Sequence, residues 1–158
     1  MLFEQTGDAV TLAEAVQVSR DAAAAVPFSH PDRPFYLSNL ATMLRLLFER
    51  TGDAAVLADA VRAGRAAVAA APVGHANRAK CLGNLGSALV LLHERTGETI
   101  ALEEGVQASR DAVAAVPADH PGRPVFLSSL ANALRALYLM GGETPVLAEA
   151  VRAADPAK

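Results

Sequence analysis

Aromatic side chains are scarce in this sequence, making up 4% of its 158 residues, and tryptophan is absent. Hydrophobic residues still reach 52%, so alanine, leucine and valine must pack whatever core the chain builds. Charge of one sign is also lacking. The net charge is −3, and acids alternate with arginines, so no basic stripe offers a surface to nucleic acid or to a membrane. Cys81 is the only cysteine, which excludes an internal disulfide. No charged segment followed by an apolar stretch opens the chain. The alanine-rich run from Arg65 to Val73 is too short to span a bilayer and contains Pro72. The expectation is a chain without a transmembrane segment, in a reducing, cytoplasmic setting.

What the sequence does have is a period. Gly7 returns as Gly52, Gly97 and Gly142, each 45 residues on, inside segments such as Phe48-Glu49-Arg50-Thr51-Gly52-Asp53 and His93-Glu94-Arg95-Thr96-Gly97-Glu98. His30, His75 and His120 keep the same step, each followed three residues later by Arg33, Arg78 or Arg123. Self-similarity at a fixed interval of this size is the mark of a repeat architecture. The units run approximately over 31–75 and 76–120, with partial copies at 1–30 and 121–158, in a single domain.

Two helical patterns alternate within a unit. After the His-x-x-Arg marker, Leu37, Leu40, Leu44 and Leu47 recur as Leu82, Leu85, Leu89 and Leu92, and again as Leu127, Leu130, Leu134 and Leu137. Steps of three and four put each set on one stripe of a helix, here helix A. The glycine suits a left-handed C-terminal position, and Arg50 or Arg95 in the last turn is expected to face the carbonyl end. Helix B then starts at Asp8, Asp53, Glu98 or Glu143, where a carboxylate can accept from free backbone donors. Its apolar face is small in volume: Leu57, Ala60, Val61, Gly64, Ala67 and Val68 in the second copy, with Pro27, Pro72 and Pro117 stopping each copy. The other face carries Glu14, Asp59, Glu104 and Glu149 early and Arg20, Arg65 and Arg110 late, an order that a solvated helix prefers.

These residues resemble the tetratricopeptide repeat. Asn39-Leu40-Ala41, Asn84-Leu85-Gly86 and Ser129-Leu130-Ala131 are similar to that family's leucine-glycine pair, and Leu44, Leu89 and Leu134 stand where its aromatic follows. Ala15, Ala60, Gly105 and Ala150 resemble the first small residue of its second helix, Ala22, Ala67 and Ala112 the next, and the three prolines its last position. The family's repeat is about 34 residues, so this one is longer by roughly eleven, about seven of them around the Thr-Gly turn and about four ahead of helix A. The pattern is similar to tetratricopeptide arrays of large actinobacterial and fungal proteins that often precede a caspase-like CHAT peptidase domain. The resemblance implies an all-α, right-handed superhelical solenoid of antiparallel helix pairs, about seven helices here. It further implies a protein–protein interaction scaffold whose A helices line a concave groove. The alternative it implies is a regulatory segment controlling an attached effector such as a CHAT-type peptidase.

The groove positions follow from the resemblance and from the polar stripe beside the leucines. That stripe reads Ser38, Thr42, Arg45 and Glu49, then Gly83, Ser87, Val90 and Glu94, then Ser128, Asn132 and Arg135. Asn39 and Asn84 match the family's groove asparagine, which can donate to and accept from a ligand backbone. Arg45 and Arg135 could grip a carboxylate, with Lys80 assisting, although Val90 interrupts the row. The candidate partner-binding residues are therefore Asn39, Thr42, Arg45, Lys80, Asn84, Ser87, Asn132 and Arg135, and the partner a protein or peptide.

No catalytic, metal or cofactor site is expected. His30, His75 and His120 lie one repeat apart, roughly 10 Å or more, too far to share an ion, and read as turn residues. His93-Glu94 lacks the second histidine of a zinc-protease signature, since Gly97 stands there. Cys81 takes the position of Tyr36 and Phe126 and reads as a core thiol. Gly83-Asn84-Leu85-Gly86 lies within a helix and lacks the strand of a phosphate loop. At its ends the chain is expected to open in the last turn of a helix A closed by Gly7, and to stop partway through a helix B. Such uncapped ends suit either a fragment of a longer array or self-association.

Overall fold

Each leucine stripe lies on a helix whose first residue is the marker arginine: α2 (Arg33–Thr51), α4 (Arg78–Thr96) and α6 (Arg123–Leu139). These A helices alternate with B helices α1 (Leu2–Ala25), α3 (Ala54–Ala70), α5 (Thr99–Ala114) and α7 (Thr144–Ala154). The computed structural model describes residues 2–141 and 144–154, and among them there is no strand. The chain is thus all-α, with seven helices among the described residues. No helix there is long and apolar enough to cross a membrane.

The Thr-Gly-acid segment is a local device for reversing the chain. Gly52 (φ 67°) and Gly97 (φ 76°) take the left-handed conformation, and their N–H groups donate to Phe48 O and His93 O at 2.7 Å. The threonine does a double task that the sequence alone did not suggest. Thr51 Oγ1 donates to Leu47 O (2.9 Å) and accepts the N–H of Asp53 (3.3 Å), and Thr96 repeats this with Leu92 O (2.7 Å) and Glu98 N (3.2 Å). Asp53 then caps α3 by accepting from Ala55 N at 2.9 Å, whereas Glu98 makes no side-chain cap.

Three details differ from expectation. Gly7 closes no helix, because α1 runs through it, and Thr11 Oγ1 donates to Gly7 O at 3.0 Å inside that helix. Propagating an existing helix adds a hydrogen bond per residue, so the B helix extends across the glycine. Asp8 is accordingly no cap; its carboxylate stands 3.8 Å from Arg50. Second, Gly141 (φ 100°), with its N–H on Tyr138 O at 2.9 Å, follows α6, while Gly142 and Glu143 lie outside the described residues. Third, Arg95 turns away from its own helix end and donates to Gly52 O at 3.0 Å, the carbonyl that ends the preceding copy.

The marker before each A helix is a turn built on its histidine. Nδ1 of His30, His75 and His120 accepts the N–H two residues on, at 3.1, 3.1 and 3.0 Å. The arginine that follows reaches back over the end of the previous B helix. Arg33 donates to Val26 O (2.8 Å) and Ala23 O (3.3 Å), Arg123 to Val116 O and Val113 O (both 3.1 Å), and Arg78 to Ala71 O. A guanidinium on these last carbonyls satisfies acceptors the helix leaves unpaired and complements the negative end of its dipole. His75 also ties one turn to the last, with Nε2 2.8 Å from Pro31 O. A proton on Nε2 lets that nitrogen donate while Nδ1 accepts.

Apolar packing is between neighbours. Leu89, Leu102 and Leu134 are fully buried and Leu44 is 2% exposed, in clusters drawn from consecutive helices, and Leu57 is fully buried as well. The small residues set how close the axes come. A Cβ on Gly86 of α4 would stand 2.6 Å from Ser109 Oγ and 3.1 Å from Gly105 O of α5, so only glycine fits that approach. Every helix packs on the next in the chain, and the A helices also touch one another, α2 on α4 and α4 on α6, whereas successive B helices make no such backbone contact.

Candidate functional site

The A helices present their residues in rows, because positions 45 apart are equivalent. One row is Thr42, Ser87 and Asn132; the next turn gives Arg45, Val90 and Arg135; the one after gives Glu49, Glu94 and Leu139. Along the first part of these helices the rows are closed. Ser38 is fully buried, and Asn84 donates one amide hydrogen to Ser38 Oγ (2.8 Å) and the other to Thr42 Oγ1 (3.0 Å). Thr42 in turn donates to Ser38 O at 3.0 Å. Gly83 is covered by Phe126 of α6, whose Cδ1 would be 3.2 Å from an added Cβ. Lys80 Nζ stands 3.4 Å from Asn39 Oδ1 and 5.5 Å from the ring of Phe35.

The polar stripe is therefore not one exposed face. Ser38 and Gly83 belong to the seam between A helices, because neighbouring A helices touch there. The donors of Asn84 are occupied within the protein, so it keeps only its carbonyl oxygen for a ligand, and Thr42 is held in the same network. Asn39 and Lys80 lie beside each other near the start of that seam, one turn before Thr42 and Asn84.

Further along, the same helices leave a cleft of about 250 Å³. It brings together Arg45 of α2, Ser87 of α4, and Asn132 and Arg135 of α6, four of the eight positions marked by sequence. Val90 and Leu91, both half-buried, form its apolar centre, and Glu49, Glu94 and Ser129 complete it. Arg45 is paired with Glu49 one turn along its own helix. The two arginines are thus not equivalent: Arg45 carries an intrahelical partner, and Val90 holds the position between them in the row.

Successive B helices are joined by charge. Arg20 meets Asp59 at 2.9 Å, Arg65 meets Glu104 at 2.7 Å and Arg110 meets Glu149 at 2.7 Å, each pair 39 residues apart. The hydrogen bonds to Arg110 hold the Glu149 carboxyl below its ordinary value, and those to the glutamates raise the Arg65 and Arg110 guanidinium groups. Asp59, Glu104 and Glu149 with Arg20, Arg65 and Arg110 form a ladder between repeats while their side chains stay 27–53% exposed. The sequence signal was present, in the 45-residue recurrence of both sets, but the pairing crosses from one helix to another.

Cys81 is fully buried, its Sγ 3.7 Å from Pro34 O; burial pushes the thiol up, with a hydrogen bond involving Ser38 opposing it. A raised thiol is a poor nucleophile at neutral pH. Among the described residues no group of three or more histidine, cysteine, aspartate or glutamate side chains is placed to hold a metal ion.

Comparison with protein-family models, with curated proteins and with solved structures finds no match to this chain. What the site can do rests on its own geometry. Hydroxyl and amide groups in a row can hydrogen-bond an extended backbone, an apolar centre can take a side chain, and charges at the margins can orient it.

Proposed function

We propose that this chain is a protein–protein interaction scaffold of the tetratricopeptide type, a right-handed solenoid whose A helices form a concave groove for a peptide or protein segment. It would act without catalysis, in the cytoplasm, through shape and repeated polar groups. The observation that carries this reading is the cleft shared by α2, α4 and α6, in which side chains 45 residues apart in sequence converge on one surface. The contact pattern supports it: among the described residues A helices touch A helices along their backbones, while successive B helices are joined through ion pairs and shared apolar clusters without close backbone approach, an arrangement that curves a stack toward its A side. Polar groups on that inner side then face whatever enters the curve.

Selection of peptides from a random display library on the parent chain, followed by titration against Val90→Arg, tests the proposal. Val90 lies half-buried at the centre of the cleft, so a long charged side chain there would fill it. Selected peptides are expected to bind the variant at least about tenfold more weakly, the loss typical of blocking a central contact. Unchanged affinity for the variant would place the binding surface elsewhere.

A further inference from the structure

The cleft has a direction. Its α2 and α4 side carries Glu49 and Glu94 at equivalent positions, with Arg45 paired to Glu49. Its α6 side carries Arg135, and the position equivalent to the two glutamates is Leu139 there, 70% exposed. Arg45 offsets Glu49 on α2, so the remaining charge runs from acidic at Glu94 on α4 to basic at Arg135 on α6. Between these ends lie Val90 and Leu91, with Ser87 and Asn132 one turn back along the same helices.

The dimensions suit a short extended strand. Neighbouring A helices pack at roughly 10 Å, which sets the scale between Glu94 on α4 and Arg135 on α6. An extended chain rises about 3.3 Å per residue and points alternate side chains to the same face, so residues i, i+2 and i+4 cover about 13 Å of that surface.

Resting on the groove reading above, we propose that the cleft recognises an extended peptide segment of dipolar pattern: a basic residue at one end, an aliphatic residue two positions along, and an acidic residue two positions beyond it. The basic group meets Glu94, the aliphatic side chain covers Val90 and Leu91, and the carboxylate meets Arg135. Ser87 and Asn132 hydrogen-bond the peptide backbone. An acidic tail is the wrong partner, because its second carboxylate would face Glu94.

The test uses three peptides with acetylated and amidated ends, Gly-Ser-Lys-Ser-Leu-Ser-Asp-Ser-Gly and its counterparts carrying two lysines or two aspartates. Titration at low salt is followed by NMR shifts of the Val90 and Leu91 methyl groups. The dipolar peptide is expected to bind about fivefold more tightly than either counterpart, the scale of one exposed charge contact. Arg135→Glu should move the preference to the two-lysine peptide, and Glu94→Lys toward the two-aspartate peptide. Arg135 and Glu94 are exposed, so both variants keep the core intact. Equal binding of all three peptides, or a preference that neither variant moves, overturns the dipolar pattern while leaving a groove that binds peptides. Absence of any shift at Val90 and Leu91 also overturns it, and display-selected peptides that still lose affinity on Val90→Arg would then preserve the groove reading by themselves.

Discussion

Arg65 donates to both carboxylate oxygens of Glu104, from Nε at 3.0 Å and from a terminal nitrogen at 2.7 Å, and so links α3 to α5 where their backbones do not touch. Arg110 does the same to Glu149 at 2.9 and 2.7 Å. Bidentate geometry makes these the best-formed charge contacts between B helices.

Replacing Arg65 by methionine keeps most of the apolar stem and removes the fork. Both partners are more than one-third exposed, so the expected loss is modest, about 0.5–1 kcal/mol at low salt and less at high salt. Urea unfolding at two ionic strengths measures it. A loss independent of salt would mean that Arg65 acts through packing rather than charge.

Acid should weaken the ladder at its last rung. Arg110 lowers the folded-state value of Glu149, so the unfolded chain binds the proton more readily. The pair's contribution is fully present above the ordinary glutamate value of about 4.3 and declines as pH falls through it toward the lower folded value. The Glu149→Gln variant should therefore lose stability at neutral pH and converge with the parent in acid. Equilibrium unfolding from about pH 7 to about pH 3, spanning that window, gives the comparison. Parallel pH curves for the two proteins would rule the linkage out.

Equivalent glycines should respond with opposite signs. Gly52 has φ 67°, where a Cβ is strained, so Gly52→Ala is expected to cost about 1 kcal/mol. Gly7 lies within α1 with open space around it, so Gly7→Ala should raise helix stability by up to about 1 kcal/mol. Thermal unfolding of the two variants separates the cases. Destabilisation by both would show that Gly7 closes a turn as Gly52 does.

The period, the alternation of helix types and most helix ends were legible in the sequence because their causes are local. Leucines at steps of three and four define α2, α4 and α6, and Gly52, Gly97 and Asp53 act on backbone groups a few residues away. Gly7 carries the same signal, yet α1 runs on through it. The B-helix charges were read as a preference within each helix, yet their partners sit on the following B helix, 39 residues on.

The candidate site divides in the same way. Sequence alone determined which positions of the A helices lie beside the leucine stripe, because helical spacing sets that. Only the tertiary structure decided which of them face solvent. Where α2, α4 and α6 touch, Ser38 is buried, Thr42 and Asn84 are bonded to one another and Gly83 is covered by Phe126; one or two turns further, Arg45, Ser87, Asn132 and Arg135 line an open cleft. The stripe is polar throughout. What separates its two halves is the approach of neighbouring helices, a relation between residues about 45 positions apart that no single helix contains.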